Sequence, residues 1–437
     1  MTERPENAVK AAERMARPIS AMSVRFACVL AAVLAALSGP AAAAAQQPAP
    51  RRIILYIGDG VGTAYWSAAR FAADALAVER MKVIGLVDTR ASDSDITDSA
   101  AGATAYAPGV RTFNGAIGVG PDSQAVKTVL EAARDRGWAT GLVASSSVTH
   151  ATPASFAAHV PSRASEFEIA KQMIAARVDV LLGGGTRYFD RAFRPDSLDL
   201  LGRLRSEYTF ITRADELARA GDRSVRKLAG LFASTQMESA RTRSPTLPDM
   251  TRAALEVLGR DSDGFFLMVE GSQPDWRGHG NEPLDAVTGE MLDFDRAIGV
   301  GLDFQQRNPG TLVLVVADHE TGGLALDLVQ DSLALMAASR QIQAAMARMA
   351  ETRGFASDSL QALDDSAWRH MAAAARRMRD RAAERGPAIS LTARYTGPDH
   401  TGEMVPLFAS GPGAERFGGI IDNFKVGQLL LEIVGRR

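Results

Sequence analysis

The segment TLVLVVADH, residues 311–319, decides the class of fold that we predict for this chain. Its five consecutive leucines and valines indicate a strand that is buried on both faces of a sheet. The strand ends in Asp318 and His319, two residue types that bind metal ions. Ligands of open α/β sheets bind at the carboxyl ends of the strands, so this segment predicts both a buried sheet and the edge where its chemistry lies.

Six further apolar runs recur along the chain, and segments with helical periodicity separate them. The runs are IILYI (53–57), KVIGLV (82–87), TGLVA (140–144), VDVLL (178–182), FFLMV (265–269) and MVPLFA (404–409). The helical patterns cover Ser123–Arg136, Ser165–Ala176, Met250–Gly259 and Leu284–Gln306. This alternation predicts an α/β protein, a three-layer αβα sandwich around a mixed but largely parallel sheet.

The composition is that of an ordinary globular protein, with 437 residues of which 46% are apolar and 23% charged. The formal net charge is −2, and acidic and basic residues are interleaved. No basic stripe is available to bind a phosphate backbone, so we expect no nucleic-acid partner.

The first 45 residues have the pattern of a secretory signal peptide. Basic residues precede an apolar run from Phe26 to Leu37, and small residues follow it up to Ala45. That run is too short to span a bilayer, so we expect a periplasmic or secreted mature form without a membrane segment. Cleavage after Ala45 removes Cys28, the only cysteine, and leaves a chain that cannot form disulfides.

We predict that residues 46–437 form one catalytic domain with an inserted helical cap at about 325–395. Two long stretches rich in Ala, Arg and Met, Asp331–Thr352 and Ser359–Arg385, lie in this region. The insertion falls between the predicted sixth and last strands. No repeat of the solenoid type is apparent in the sequence.

Several polar residues outside this cap are candidates for a metal site. Asp275 and His279 are four residues apart, a spacing that lets both side chains reach one cation, and Asp318-His319 and Asp399-His400 are acid–histidine pairs. Ser99 begins a helix of small residues, where backbone amides favour an anion, although a serine there is usually a helix cap. His159 and His370 have no acidic neighbour, so we predict structural roles for both.

Eight motifs occur in the order found in alkaline phosphatases, and the sequence resembles that family over nearly all of residues 51–435. The motifs are Ile57-Gly58-Asp59-Gly60, Asp98-Ser99-Ala100-Ala101, Thr149-His150-Ala151-Thr152-Pro153, Val160-Pro161-Ser162-Arg163, Glu270-Gly271, Asp275…His279, Ala317-Asp318-His319 and His400-Thr401. The resemblance implies a metal-dependent hydrolase of small phosphate monoesters that acts as a homodimer.

The resemblance also implies two zinc ions and one magnesium ion. It assigns the first zinc to Asp275, His279 and His400. It assigns the second zinc to Asp59, Asp318 and His319, with Ser99 as the alkoxide nucleophile. It assigns magnesium to Asp59, Thr152 and Glu270, with His150 beside them.

Arg163 is implied to hold two phosphate oxygens as a fork, which Asp98 orients. The chemistry is consistent with the residue types, because serine is a weak nucleophile until its alkoxide is stabilised, and a pair of metal ions can clamp a transferring phosphoryl group.

Two positions depart from the bacterial family pattern. His150 stands where many bacterial members have Asp, and imidazole favours zinc over magnesium. Trp276 stands where other members carry Lys or His near the phosphate, which predicts weaker phosphate binding. A phosphodiesterase or phytase-like member of the same superfamily remains an alternative, and a secreted metal-dependent phosphate-binding protein is an alternative without catalysis.

Overall fold

The apolar runs form the central strands of a mixed sheet in the computed structural model, which describes residues 49–328 and 391–435. The strands within these ranges are β1 (Arg52–Gly58), β2 (Val83–Asp88), β3 (Ala139–Ser147), β4 (Val180–Gly184), β5 (Thr209–Ile211), β6 (Leu228–Leu231), β7 (Phe265–Gly271), β8 (Thr311–Ala317), β9 (Glu320–Thr321), β10 (Ala325–Leu328), β11 (Leu391–Arg394), β12 (His400–Thr401), β13 (Val405–Ser410) and β14 (Gly419–Asp422).

Ten of the described strands form the main sheet, in the order β14-β2-β13-β8-β1-β7-β3-β4-β6-β5. Every neighbouring pair is parallel except those of β13, which is antiparallel to both β2 and β8. This confirms the largely parallel, mixed sheet. The short strands form two further antiparallel pairs, β10 with β11 and β12 with β9.

Two groups of helices cover the sheet. The described α-helices are α1 (Thr63–Ala72), α2 (Ser99–Tyr106), α3 (Val129–Asp135), α4 (Ala151–Ala157), α5 (Glu166–Ala176), α6 (Thr186–Phe189), α7 (Leu200–Glu207), α8 (Leu247–Leu258), α9 (Gln273–His279), α10 (Leu284–Arg307) and α11 (Asn423–Gly435), with 3₁₀ turns at Ala77–Arg80, Ala214–Gly221 and Ala414–Phe417. Helices α1, α8, α9 and α10 pack together as one group, and α2, α3, α4, α5 and α11 as the other. The predicted αβα layering is confirmed.

The central strands β1, β7 and β8 lie side by side and are almost completely buried. Their parallel register pairs Gly58 with both Gly271 and Ala317. The three strands therefore end at the same level, and the acidic residues at their carboxyl ends are brought together.

The prediction that every apolar run is buried on both faces is wrong for β2. The side chain of Ile84 is 61% exposed and that of Leu86 39% exposed, whereas Val87 is fully buried. β2 lies next to the edge strand β14, and Ile84 and Leu86 line an open groove with residues of α1 and β13, so this face is only partly covered. Its burial therefore alternates along the strand, as expected for a strand with one covered face.

Capping boxes shift the start of two helices from the predicted positions. The pattern at 123–136 becomes helical only at Val129, because Thr128 and Glu131 form a reciprocal box that begins α3 there. Residues before it form turns and a bridge between Val119 and Ala125. Helix α8 starts three residues earlier than predicted, at Leu247, behind a box formed by Thr246 and Asp249.

The predicted signal peptide and both predicted cap helices lie outside the described residues, as does His370. At the ends of the predicted cap, β10 and β11 form an antiparallel ribbon. Within the described part of the chain, no helix combines the length and the hydropathy that a membrane crossing requires.

Candidate active site

Helix α2 carries Ser99 at its first position, and the preceding residue caps the helix. The Ala101 N–H donates to Asp98 Oδ1 at 2.9 Å, so Asp98 is the cap and the Ser99 hydroxyl is not used for capping. Ser99 Oγ instead lies 3.2 Å from His319 Nε2 and 3.5 Å from Arg163 Nη1. The serine is buried and faces the polar cluster at the strand ends.

The small residues of α2 allow it to pack directly on the end of β8. A Cβ at Gly102 would lie 2.8 Å from the carbonyl oxygen of Asp318, closer than a side chain tolerates. Gly60 has a similar role after β1, since its φ is +73° and a Cβ there would lie 2.7 Å from Asp275 Cα. These close approaches bring α2, β8, β1 and α9 around one point.

Arg163 is held by two neighbours. Its Nη1 donates to Asp98 Oδ2 at 3.0 Å, and its Nη2 lies 3.2 Å from His150 Nε2. Burial would lower the pKa of Arg163, but the carboxylates of Asp98, Asp59 and Asp318 outweigh that effect and raise it. The guanidinium therefore remains charged and fixed beside Ser99, where it can bind phosphoryl oxygens.

One candidate metal cluster consists of Asp59, Asp318 and His319, all fully buried. Asp59 Oδ1 and Asp318 Oδ2 each lie 3.5 Å from His319 Nε2. Both oxygens of Asp59 and the Oδ2 of Asp318 have no hydrogen-bond partner. Burial first, and then mutual repulsion of the acids, raises the pKa of Asp59 and Asp318 well above the ordinary range. Unpaired buried carboxylates that converge on an imidazole fit a divalent cation.

A second cluster joins Asp275 to two histidines. His279 Nε2 lies 3.4 Å and His400 Nε2 3.6 Å from Asp275 Oδ1, and the two Nε2 atoms are 3.1 Å apart. The Nδ1 of His279 contacts Pro398 O at 2.5 Å and the Nδ1 of His400 contacts Thr97 O at 2.8 Å. Because a carbonyl only accepts, we assign the protons to Nδ1, which leaves both Nε2 lone pairs facing inward, as in zinc sites.

A third group surrounds Glu270. Glu270 Oε2 accepts from Ser146 Oγ at 3.0 Å, while Glu270 Oε1 and Thr152 Oγ1 are buried without a partner. Ligand atoms of Asp59, His150 and Glu270 lie within 4.8 Å of one another. Burial raises the pKa of Glu270 to about 7. This oxygen-rich group fits a hard cation such as magnesium.

His150 faces Arg163 as well as this third group. Burial and the nearby Arg163 charge lower the pKa of His150 to about 3, so the ring is neutral and its Nε2 accepts from the guanidinium. Trp276 packs edge-to-face against His150, with ring centroids 6.2 Å apart. Trp276 thus lies beside His150, and it supplies no charge to a phosphate.

Thr321 is a site residue that sequence reasoning missed. Its Oγ1 donates to Asp275 Oδ1 in a short hydrogen bond and lies 3.2 Å from His319 Nδ1, while Tyr65 Oη donates to its carbonyl at 2.6 Å. It therefore connects two of the clusters and orients His319. The sequence offered one indication of Thr321, which is that it follows the predicted ligand His319 by two residues; in the structure it lies on the short strand β9.

His159 lies outside the three clusters. Its Nδ1 contacts Gly118 O at 2.6 Å and its Nε2 contacts Glu131 Oε1 at 3.2 Å. The acidic partner comes from α3, 28 residues away in sequence, so neighbouring residues could not indicate it. Both ring nitrogens are satisfied by structural contacts.

The fold and the three clusters beside a buried serine and a half-buried arginine define a metal-dependent hydrolase of the αβα class. The family model for alkaline phosphatase matches residues 50–435. The chain is 34% identical to alkaline phosphatase 4 of Bacillus subtilis (strain 168) over 95% of this chain and 96% of that protein. It is also 34% identical to streptomycin-6-phosphate phosphatase of Streptomyces griseus, over 90% of this chain and 93% of that protein.

Solved structures agree with these sequence relatives. The alkaline phosphatase of the Antarctic bacterium TAB5 superposes with a TM-score of 0.70 at 34% identity, covering 88% of this chain and 98% of that chain. A variant of the same enzyme has magnesium bound in its M3 site and superposes with a TM-score of 0.71 at 33% identity, over 89% of this chain and 99% of that chain. The chain belongs to the alkaline phosphatase family and is a metal-dependent phosphate-monoester hydrolase.

Proposed function

We propose that Ser99 is the nucleophile and forms a phosphoserine intermediate. The observation that carries this proposal is the position of Ser99 Oγ, which is free of capping and lies within 3.5 Å of both His319 and Arg163. In the first step Ser99 Oγ gives up its proton to solvent and attacks phosphorus, and the ester oxygen leaves with the electron pair of the broken P–O bond and takes up a proton to form the alcohol. In the second step water attacks the phosphoserine, and phosphate leaves with Ser99 restored, so that configuration at phosphorus is retained overall.

Arg163 would hold two non-bridging oxygens throughout both steps. Its Nη1 and Nη2 form a planar fork, and Asp98 Oδ2 fixes that fork at 3.0 Å. Charge spreads over the equatorial oxygens of a phosphoryl transition state, where a fixed guanidinium stabilises it without reorganisation. His150 would support the same geometry, because its neutral Nε2 faces Nη2.

We propose two zinc ions and one magnesium ion as the cofactors. The first zinc would be held by Asp275, His279 and His400, the second by Asp59, Asp318 and His319, and the magnesium by Asp59, Thr152 and Glu270. The unpaired buried oxygens and the inward-facing imidazole nitrogens support this assignment. When bound, the zinc ions supply Lewis-acid stabilisation of the serine alkoxide and of the leaving oxygen.

The accessory residues favour monoesters over diesters as substrates. A monoester carries one more ionisable oxygen than a diester, and Arg163 together with the group around Glu270 offers a place for that extra charge. A phosphate-binding protein without catalysis would have no use for a free serine hydroxyl at this position.

Turnover of p-nitrophenyl phosphate and bis-p-nitrophenyl phosphate, each with and without a chelator, tests the proposal. We expect hydrolysis of the monoester only, lost on chelation and restored by zinc with magnesium. Preferential hydrolysis of the diester would instead support the phosphodiesterase alternative. Stoichiometric phosphate binding without turnover would support the non-catalytic alternative.

We also propose export and dimer formation. The pattern of residues 1–45 supports a signal peptide and a periplasmic or secreted mature form. The homodimer and the cap at about 325–395 are proposed from the family resemblance and the sequence pattern. N-terminal sequencing of the secreted protein and light scattering of the purified enzyme test these points.

A further inference from the structure

A basic cavity lies at the edge of the sheet opposite the active site. Its volume is about 800 Å³, and it is lined by residues at the amino ends of β3, β4, β6 and β7. The active site lies at the carboxyl ends of the same parallel strands. Nine-residue β3 spans the distance between the two edges, which is about 26 Å at the usual rise per residue.

The segments that precede four of the strands each supply at least one basic side chain to this cavity. The basic lining residues are Arg134 before β3, Arg177 before β4, Arg226 and Lys227 before β6, and Arg260 before β7. Five cationic side chains from segments distant in sequence therefore converge on one concave surface. Such an arrangement raises the local positive potential and attracts anions.

Most of these cations lack a carboxylate partner among the described residues. Arg260 donates to the backbone carbonyls of Asp222 and Ala220, and Arg226 donates to that of Arg223. The Lys227 ammonium lies over the Tyr208 ring, 5.2 Å from its centroid. Within residues 49–328 and 391–435, Arg177 forms no ion pair, and it is exposed at the cavity.

The two acidic residues that line the cavity accept hydrogen bonds from other groups. Asp179 Oδ2 accepts from the Thr140 N–H at 2.9 Å, and Asp261 Oδ1 accepts from the Asp263 N–H at 2.8 Å. Asp179 also interacts with the Lys227 charge, and Arg134 pairs with Asp135 at 3.0 Å, whereas Arg177, Arg226 and Arg260 form no ion pair among the described residues. Val257 and Leu258 add an apolar part to the lining.

We propose that this cavity is a second anion site that binds a phosphoryl group, carried either by free phosphate or by a phosphorylated small molecule. Arginine forks match the geometry of phosphate oxygens, and three arginines without an ion pair suit an anion with two charges. A small ligand fits because the cations line one open concavity and not an extended basic stripe. The inference is independent of the proposed catalytic steps, since the site shares no residue with them.

The test is the number of phosphate ions that each metal-loaded chain binds. Equilibrium dialysis with labelled inorganic phosphate at low ionic strength should give two sites for the wild-type enzyme. The double variant Arg177→Gln/Arg226→Gln should weaken one site by about tenfold or more and leave kcat and competitive phosphate inhibition unchanged. Conversely, Arg163→Ala should weaken the catalytic site and retain the cavity site.

A control variant distinguishes phosphate binding in the cavity from attraction of phosphate by surface charge in general. Arg203→Gln/Arg213→Gln removes the same two charges from exposed arginines outside the cavity lining. It should retain both phosphate sites. A single site in the wild-type enzyme, two intact sites in Arg177→Gln/Arg226→Gln, or equal losses in the two double variants would each overturn the proposal.

Phenylphosphonate distinguishes the two sources of the phosphoryl group, because its P–C bond resists hydrolysis. Tighter binding of phenylphosphonate than of phosphate in the cavity would indicate the phosphoryl group of a larger molecule. Equal binding would indicate free phosphate.

Discussion

Thr321→Val should weaken zinc binding while preserving the fold. Valine has nearly the same shape as threonine but lacks the hydroxyl that donates to Asp275 Oδ1 and contacts His319 Nδ1 at 3.2 Å. Both partners are buried and belong to the two candidate zinc clusters. Without the hydroxyl, Asp275 loses a charge-assisted hydrogen bond and His319 loses the contact that orients its ring.

The expected loss of zinc affinity follows from these contacts. A hydrogen bond to a charged group contributes about 1.5–3 kcal/mol, and the loss of such an outer contact usually weakens metal binding by about 10–100-fold. Titration of the metal-free enzyme with zinc buffered by a competing chelator, followed by phosphatase activity, measures the effect. The zinc concentration at half-maximal activity should rise by about that factor, and excess zinc should restore most of the activity.

Two variants serve as controls. Thr321→Ser keeps the hydroxyl and should behave like the wild-type enzyme. Thr251→Val removes a buried hydroxyl that donates to Leu247 O within α8, far from the clusters, and should leave the zinc midpoint unchanged. A wild-type zinc midpoint in Thr321→Val would refute the role that we assign to this threonine.

Four further predictions concern the nucleophile, the arginine and, in two cases, the metal-free protein. Ser99→Ala should lower kcat by orders of magnitude with almost unchanged metal content, and wild-type kinetics in this variant would contradict its assignment. Arg163→Ala should weaken competitive phosphate inhibition, and it should lower kcat/KM by a factor equivalent to a loss of about 2–4 kcal/mol of transition-state stabilisation. Unchanged inhibition would place this arginine outside the site. Chelation should lower the melting temperature as well as activity, since metals bind only the native state, and an unshifted melt of fully metal-free enzyme would contradict the metal assignment. In the chelated protein, folding raises the pKa of Glu270 to about 7 and raises those of Asp59 and Asp318 too, so these three carboxyls should destabilise the fold progressively as pH rises from about 4 through 7. Glu270→Gln should remove part of that destabilisation, and a pH dependence of the chelated melt that is the same in this variant and in the wild type would refute it.

The sequence alone was sufficient for the class of fold and for most of the candidate residues. Continuous apolar runs identify strands that are buried on both faces, and the residues just after those strands are the ones that a parallel sheet gathers at one edge. Asp59, Glu270 and Asp318 could be predicted in this way, because strand position is a local property of the chain. The Asp275…His279 spacing is local for the same reason, being one turn of α9.

Tertiary structure decided which atoms meet. Ser99 and His319 are 220 residues apart, and His400 and Thr97 are 303 apart, so their contacts depend on the strand order and not on any local pattern. Packing between distant segments also decides that β2 exposes Ile84, because burial on a face of the sheet requires an element from elsewhere in the chain to cover it. A single sequence shows the residue types that can bind a metal, but the partner of each lone pair is set by packing between distant segments.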